Sequence, residues 1–264
     1  LINEEAVARF REMPPSKINI TLYGASDETY GRLCGNSSGF QKTVQAIEAL
    51  TDAGILVKLN GSMTPYNIGD FEKLIEYARE KKLLFEASTY MYPPVRNNPE
   101  SVGYNDRFTP EEAAYWHLQR FRLQNGQELY PEYLRRIAEG MVDPVGLDES
   151  CYDPCDGTIK CRAGKASFWI TWDGRMLPCG MMPATQTDVR NGFGQAWSYI
   201  CEETEKIKVS GICSRCENYQ MCHPCVAVAA TETGRYDGIP RYRCEMMQEM
   251  KKIAKEQLRI YGES

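Results

Sequence analysis

The chain has no long basic run, no apolar stretch near the about 18 residues that a membrane-spanning helix needs, and no secretory leader. The first absence excludes the electrostatic footprint of a nucleic-acid binder: net charge is −5, with acids and bases well mixed. The second argues against a helical membrane partner. The third rests on Leu1-Ile2-Asn3-Glu4-Glu5, which has neither a basic end nor an apolar core. An initiator Met is also missing, so the sequence reads as a cytoplasmic piece of something longer.

Cysteine is plentiful. Of 11 cysteines, Cys34 stands alone and ten fall between Cys151 and Cys244. An odd count in a chain without an export signal argues against a pure disulfide framework, and clustered thiols in a reducing compartment usually bind metal.

The first half alternates between helix and strand periodicity. Residues 4–12 suggest a helix. In Lys17–Tyr23, Ile18, Ile20 and Leu22 point one way, and Asn19, Thr21 and Tyr23 the other. Phe40, Val44, Ile47 and Leu50 follow at helical spacing, stopped by Gly54. Ile55–Asn60 reads as a second strand with Lys58 and Asn60 on one face. Asn67 is expected to cap a third helix carrying Phe71, Leu74, Ile75 and Ala78, and Leu84–Tyr90 is a third strand. Strand–helix–strand at this spacing implies parallel strands with helical crossovers. Parallel strands are usually apolar on both faces. The polar second face here suggests a curved sheet lining a cavity, as in part of a barrel; an edge-exposed sheet is the alternative.

Thr109-Pro110-Glu111-Glu112 is a capping box opening a helix to about Gln124, and Pro131–Glu139 is another helix. A composition shift after Gly140 places the domain boundary there. Beyond it, Asp173-Gly174 between short apolar runs predicts a type I′ hairpin, with Phe168, Trp169 and Trp172 packing on it. Residues 193–207 look helical. A last amphipathic helix runs from Cys244, with Met247, Met250, Ala254, Leu258 and Tyr261 on one face.

The cysteine spacing is Cys161-x12-Gly174-x4-Cys179, then Cys213-x2-Cys216-x5-Cys222-x2-Cys225, then Cys244, with Cys155 six positions before Cys161. A Cys-x2-Cys turn lets two thiolates converge on one centre, and four sulfurs make one site, so eight cysteines supply two. Spacing alone leaves structural zinc and iron–sulfur clusters equally open.

This pattern resembles the seven-cysteine SPASM motif at the carboxy terminus of many radical S-adenosylmethionine (SAM) enzymes. One departure is that Cys222 and Cys225 are separated by two residues where the family usually has three. Ile18-Asn19-Ile20-Thr21-Leu22-Tyr23-Gly24 and Ser38-Gly39-Phe40 are similar to the middle of a radical SAM barrel. The resemblance implies an α/β fold: a partial parallel (β/α) barrel with linker helices over residues 1–140, then a small α+β SPASM domain over 141–264. It implies two auxiliary [4Fe–4S] clusters, one on Cys155, Cys161, Cys179 and Cys225, the other on Cys213, Cys216, Cys222 and Cys244. Cys151 is the alternative to Cys155. Thr21, Lys58 and Asn60 would line the SAM pocket. Cys34 and Cys201 read as buried small hydrophobes. His117 reads as a packed or surface residue, and His223 as a group that can hydrogen-bond a cluster sulfur.

The Cys-x3-Cys-x2-Cys loop that holds the third, SAM-binding [4Fe–4S] cluster of such enzymes does not occur in this sequence. The expectation is therefore a carboxy-terminal part, whose missing half was truncated or is a separate chain. The intact protein would be a radical SAM oxidoreductase acting on a peptide or protein, with an external electron donor such as flavodoxin or ferredoxin. The clusters would pass electrons or anchor substrate. Sulfatase maturases of that family carry Asp directly after the cysteine that here is Cys179; Gly180 stands there, which leaves a general base missing. Anaerobic sulfatase maturation, a zinc-binding interaction module and a non-catalytic scaffold are the alternatives.

Overall fold

Two stretches of helix and strand signals translate into two compact units in a computed structural model that describes residues 2–93, 107–141 and 157–262. In the first unit the alternating apolar residues form a three-stranded parallel sheet of β1 (Ile18–Thr21), β2 (Val57–Ser62) and β3 (Leu84–Ser88), in that order. Thr21 pairs with Asn60, and Asn60 with Glu86, so these three share one face; Val57, Leu59 and Ala87 bury the other. Helices α1 (Glu4–Glu12), α2 (Asp27–Cys34), α3 (Gly39–Asp52), α4 (Phe71–Glu80) and α5 (Pro110–Asn125) complete the unit. The capping box at Thr109 and Glu112 forms as the sequence predicts. Helix α2 was not anticipated; Ser26 caps it and Gly35 ends it in the left-handed region, over too few residues to show a period.

Asn67 does not cap α4. Its amide is buried: Oδ1 accepts from Thr64 N (2.7 Å), and Nδ2 donates to the carbonyls of Tyr23 (2.9 Å) and Ser62 (3.0 Å). A short 3-10 turn, Ile68–Asp70, starts the helix instead. Asp70 then accepts from Ala25 N (2.9 Å) and Thr29 Oγ1 (2.6 Å). Two side chains thus fix the loops leaving β1 and β2.

The second unit takes in Tyr92 and then the chain from Leu129, so that α6 (Tyr130–Glu139) belongs with it. Its Tyr130 and Tyr133 are fully buried, and Tyr130 Oη donates to Gln257 Oε1 (2.7 Å) on α11 (Arg241–Ile260). The buried stripe of α11 is Met246, Met247, Met250, Ala254 and Leu258; Tyr261 is exposed. Between them lie β4 (Trp169–Ile170), β5 (Arg175–Leu177), β6 (Thr187–Asp188) and α7 (Phe193–Lys206). The short helices α8 (Gly211–Ser214), α9 (Tyr219–Cys222) and α10 (Val226–Thr233) follow. The strands form a second, antiparallel sheet. The hairpin turn is not type I′: Gly174 is left-handed (φ 82°) but Asp173 is not, leaving a four-residue loop, Thr171 to Gly174, between the strands. Phe168 packs on Phe193 and Trp197, while Trp172 at the loop tip is 91% exposed because no neighbouring strand faces it. No helix among the described residues is long and apolar enough to cross a membrane.

Two substitutions probe this framework by urea unfolding. Asp70→Ala leaves two donors stranded and should lower stability by about 2–4 kcal/mol; a change below about 0.5 kcal/mol would remove its anchoring role. A Cβ on left-handed Gly164 (φ 64°) would sit 2.3 Å from Thr204 Oγ1. Gly164→Ala should therefore cost about 1–3 kcal/mol, and an unchanged urea midpoint would contradict the packing described.

Candidate metal centres and a candidate cofactor face

In the first unit, parallel strands end where open α/β sheets usually take ligands. Thr21 and Asn60 lie opposite each other on the polar sheet face, half-buried, and their side chains make no hydrogen bond among the described residues. Lys58 shares that face but is committed to an ion pair with Glu86 of β3. Glu86 escaped sequence reasoning because a single acid in an alternating strand reads as a solvent-facing residue. Two uncommitted polar groups and one neutralised cation therefore line the face.

In the second unit, the hairpin and the turns around α8, α9 and α10 gather the thiols. Cys161, Cys179 and Cys225 line one cavity of about 230 Å³, walled by Ile159, Met182, Val226 and Ala227. Ile159, Met182, Val226 and Ala227 also form a buried apolar cluster with Val209, so that wall is apolar and packed, while Cys161 and Cys225 reach the surface. Met181 N donates to Cys179 Sγ at 3.5 Å. Burial pushes the Cys225 thiol up, the backbone of Val228 and Ala227 pulls it back, and Cys161 and Cys179 raise it again.

Cys213, Cys216, Cys222 and Cys244 form the second set. The Cys213 thiol is pushed up to about 11 by burial and then by Cys244, Cys222 and Cys216. Burial also raises Cys244, reinforced by Cys222 and Cys216. Cys222 is raised by burial and relieved by Arg243, whose guanidinium donates to the Cys222 carbonyl at 3.3 Å. Neighbouring thiols push Cys213 and Cys244 in the same direction as burial does, so these side chains lie close to one another.

All nine described cysteines are free thiols; Cys151 and Cys155 lie outside the described residues. Among the described residues no group of three or more His, Cys, Asp or Glu is arranged to hold a metal ion. A tetrahedral zinc would draw its thiolates to about 3.8 Å from one another, whereas a cluster core of several atoms needs its ligands spread around a void. The first set surrounds a void with apolar walls and an amide donor to sulfur, which suits a cluster core. His223 lines the same cavity, in a left-handed backbone (φ 48°) that reverses the chain after α9. Burial, and then Arg243, push its imidazole down toward the neutral form.

Cys34 is exposed, at the open end of α2, and Cys201 is half-buried on α7, so neither is the buried small hydrophobe expected. His117 is half-buried in α5. Sequence reasoning passed over Arg243 and Tyr92. Burial raises the Tyr92 phenol, Cys225 and Cys179 add to it, and Arg243 opposes them. The one available signal was that Arg243 directly precedes Cys244.

No protein-family model matches the chain. It is 24% identical over 252 residues to an AdoMet-dependent heme synthase of Methanosarcina barkeri, covering 89% of this chain and 69% of that protein. It is 23% identical over 247 residues to the protein of that name from Oleidesulfovibrio alaskensis, covering 89% of this chain and 63% of the relative. The chain thus spans about two thirds of the length of these curated relatives. Among solved structures it is similar to native anSMEcpe with bound AdoMet, with TM-score 0.64 and 17% identity over 98% of this chain and 71% of the other. Similarity to Streptococcus suis SuiB has TM-score 0.58 and 14% identity over 90% of this chain and 57% of the other. The resemblance to radical SAM enzymes read from the cysteine pattern therefore holds both in sequence relatives and in fold.

Proposed function

We propose that this chain is the carboxy-terminal part of a radical SAM/SPASM oxidoreductase that modifies a peptide or protein and carries two auxiliary [4Fe–4S] clusters. The supporting observation is the gathering of Cys161, Cys179 and Cys225 around one cavity, with Cys216, Cys222 and Cys244 as the neighbours of Cys213. Cys161, Cys179 and Cys225, with Cys155 as fourth sulfur, would hold the first cluster. Cys213, Cys216, Cys222 and Cys244 would hold the second. Thr21 and Asn60 would offer hydroxyl and amide groups to SAM, with Lys58 beside them balanced by Glu86. When bound, SAM supplies a hydrogen-abstracting radical and the clusters supply or take up single electrons. The chain's own part is to hold polar groups at the carboxyl end of the sheet, through Asn67 and Asp70, and to wall the sulfur cavity on one side with the apolar Ile159, Met182 and Val226. The setting would be the cytoplasm, with flavodoxin or ferredoxin as electron donor.

A peptide substrate is supported by structural neighbours that include anSMEcpe with bound AdoMet and a Kp18Cys peptide. A tetrapyrrole substrate is a second reading, favoured by the sequence relatives named AdoMet-dependent heme synthase.

Anaerobic reconstitution should give a brown protein with roughly eight irons per chain. Cys179→Ser and Cys216→Ser should each remove about half of that iron while the other set stays loaded. A colourless protein holding two zincs would overturn the cluster assignment in favour of an interaction module. With the full-length protein, SAM and a reductant, mass spectrometry should show a changed mass on a precursor peptide encoded beside it. Turnover of a heme-precursor tetrapyrrole instead would select the second reading.

A further inference from the structure

A second cavity opens on the second unit, and none of the described cysteines lines it. Its volume of about 630 Å³ falls within the roughly 300–1,000 Å³ of small-molecule sites. The floor is apolar, made by Met181, Pro183, Ala184, Ile207 and Ala230. Met181, Ile207 and Tyr236 rest on the buried cluster of Ile159, Met182, Val209, Val226 and Ala227. Packed side chains therefore back the floor and hold its shape.

Around that floor, several polar groups are already committed. Arg235 donates to both carboxylate oxygens of Asp237, at 3.0 and 2.8 Å. Lys206 pairs with Glu203 in the last turn of α7, where a cation also offsets the negative end of the helix. Thr231 donates to the Val228 carbonyl. The carboxyl end of α10 reaches the wall at Gly234, whose amide is bonded to the Ala230 carbonyl. Two groups stay uncommitted, and both are donors. Lys208 makes no ion pair or side-chain hydrogen bond among the described residues. Tyr236 Oη and Thr185 Oγ1 lie 3.1 Å apart; one of their two hydrogens sits between them and the other is left to donate.

We propose that this cavity binds a small organic carboxylate with an apolar body. The body lies on Met181 and Ile207, and the carboxylate accepts from the Lys208 ammonium and the Tyr236 hydroxyl. Apolar walls with a few converging polar groups are the usual build of such a site. Donors without a matching free acid select an acceptor of negative charge. One ammonium and one hydroxyl match the single charge of a carboxylate. A phosphate calls for more donors, and the Arg235 fork that would suit it is closed by Asp237. The inference uses no cysteine and holds whatever occupies the thiol sets.

The test is equilibrium dialysis of the full-length protein against pyrenebutyrate and its uncharged counterpart, pyrenebutanol. Wild type should bind the acid saturably and about tenfold tighter than the alcohol. Lys208→Glu should weaken the acid by about tenfold or more and leave the alcohol unchanged. Ala184→Trp, at an exposed position of the wall, should exclude both by filling the cavity. Absence of saturable binding, equal affinity for acid and alcohol, or an indifferent Lys208→Glu protein overturns the proposal. So does acid binding that survives Ala184→Trp, or that is lost in Trp172→Ala, which puts the probe on the exposed hairpin instead. If Ala184→Trp fails to fold, Lys208→Glu decides, because that side chain is exposed and unpaired.

Discussion

Like charges crowded into half-dry pockets cannot all ionise at once. Burial raises Cys213, Cys222, Cys225 and Cys244 of the second unit, so these thiols resist ionising unless a positive charge joins them. The surrounding architecture holds them in place. The buried cluster of Ile159, Met182, Val209, Val226 and Ala227 fixes the walls. The hairpin brings Cys179 back over the chain that carries Cys161, and α11, clamped on α6 by Tyr130 and Gln257, delivers Arg243 and Cys244.

The first unit solves a different problem. Its sheet must present polar groups on one face without losing the other to water. The register achieves this, because Thr21, Asn60 and Glu86 fall in one row while Val57, Leu59 and Ala87 pack beneath. The loops at the carboxyl ends would wander if their backbone groups were unpaired. Asn67 and Asp70 satisfy them from below, which makes two buried side chains, rather than the strands, responsible for the shape of that edge.

Much of this is legible in the sequence where the signal is local. The alternation at Ile18, Ile20 and Leu22, the capping box at Thr109 and Glu112, and the stripe Met247, Met250, Ala254 and Leu258 each fix an element through nearest neighbours. What escaped depends on distant partners. Asn67 has a capping residue's sequence context, yet three backbone groups from two loops claim its amide. Asp173-Gly174 promises a two-residue turn, yet Asp173 keeps an ordinary backbone and the loop takes four residues. Trp172 reads as packing, but at the loop tip it stands almost wholly exposed. At the candidate centres, fixed spacing made the cysteines visible, while Arg243 and Glu86 act only through contacts that three dimensions create.

The reversal at His223 carries a mechanical meaning. Cys222 and Cys225 are separated by two residues of one strip of backbone, yet they fall in different thiol sets. A covalent leash this short caps how far the two sets can draw apart, whatever the side chains around them do.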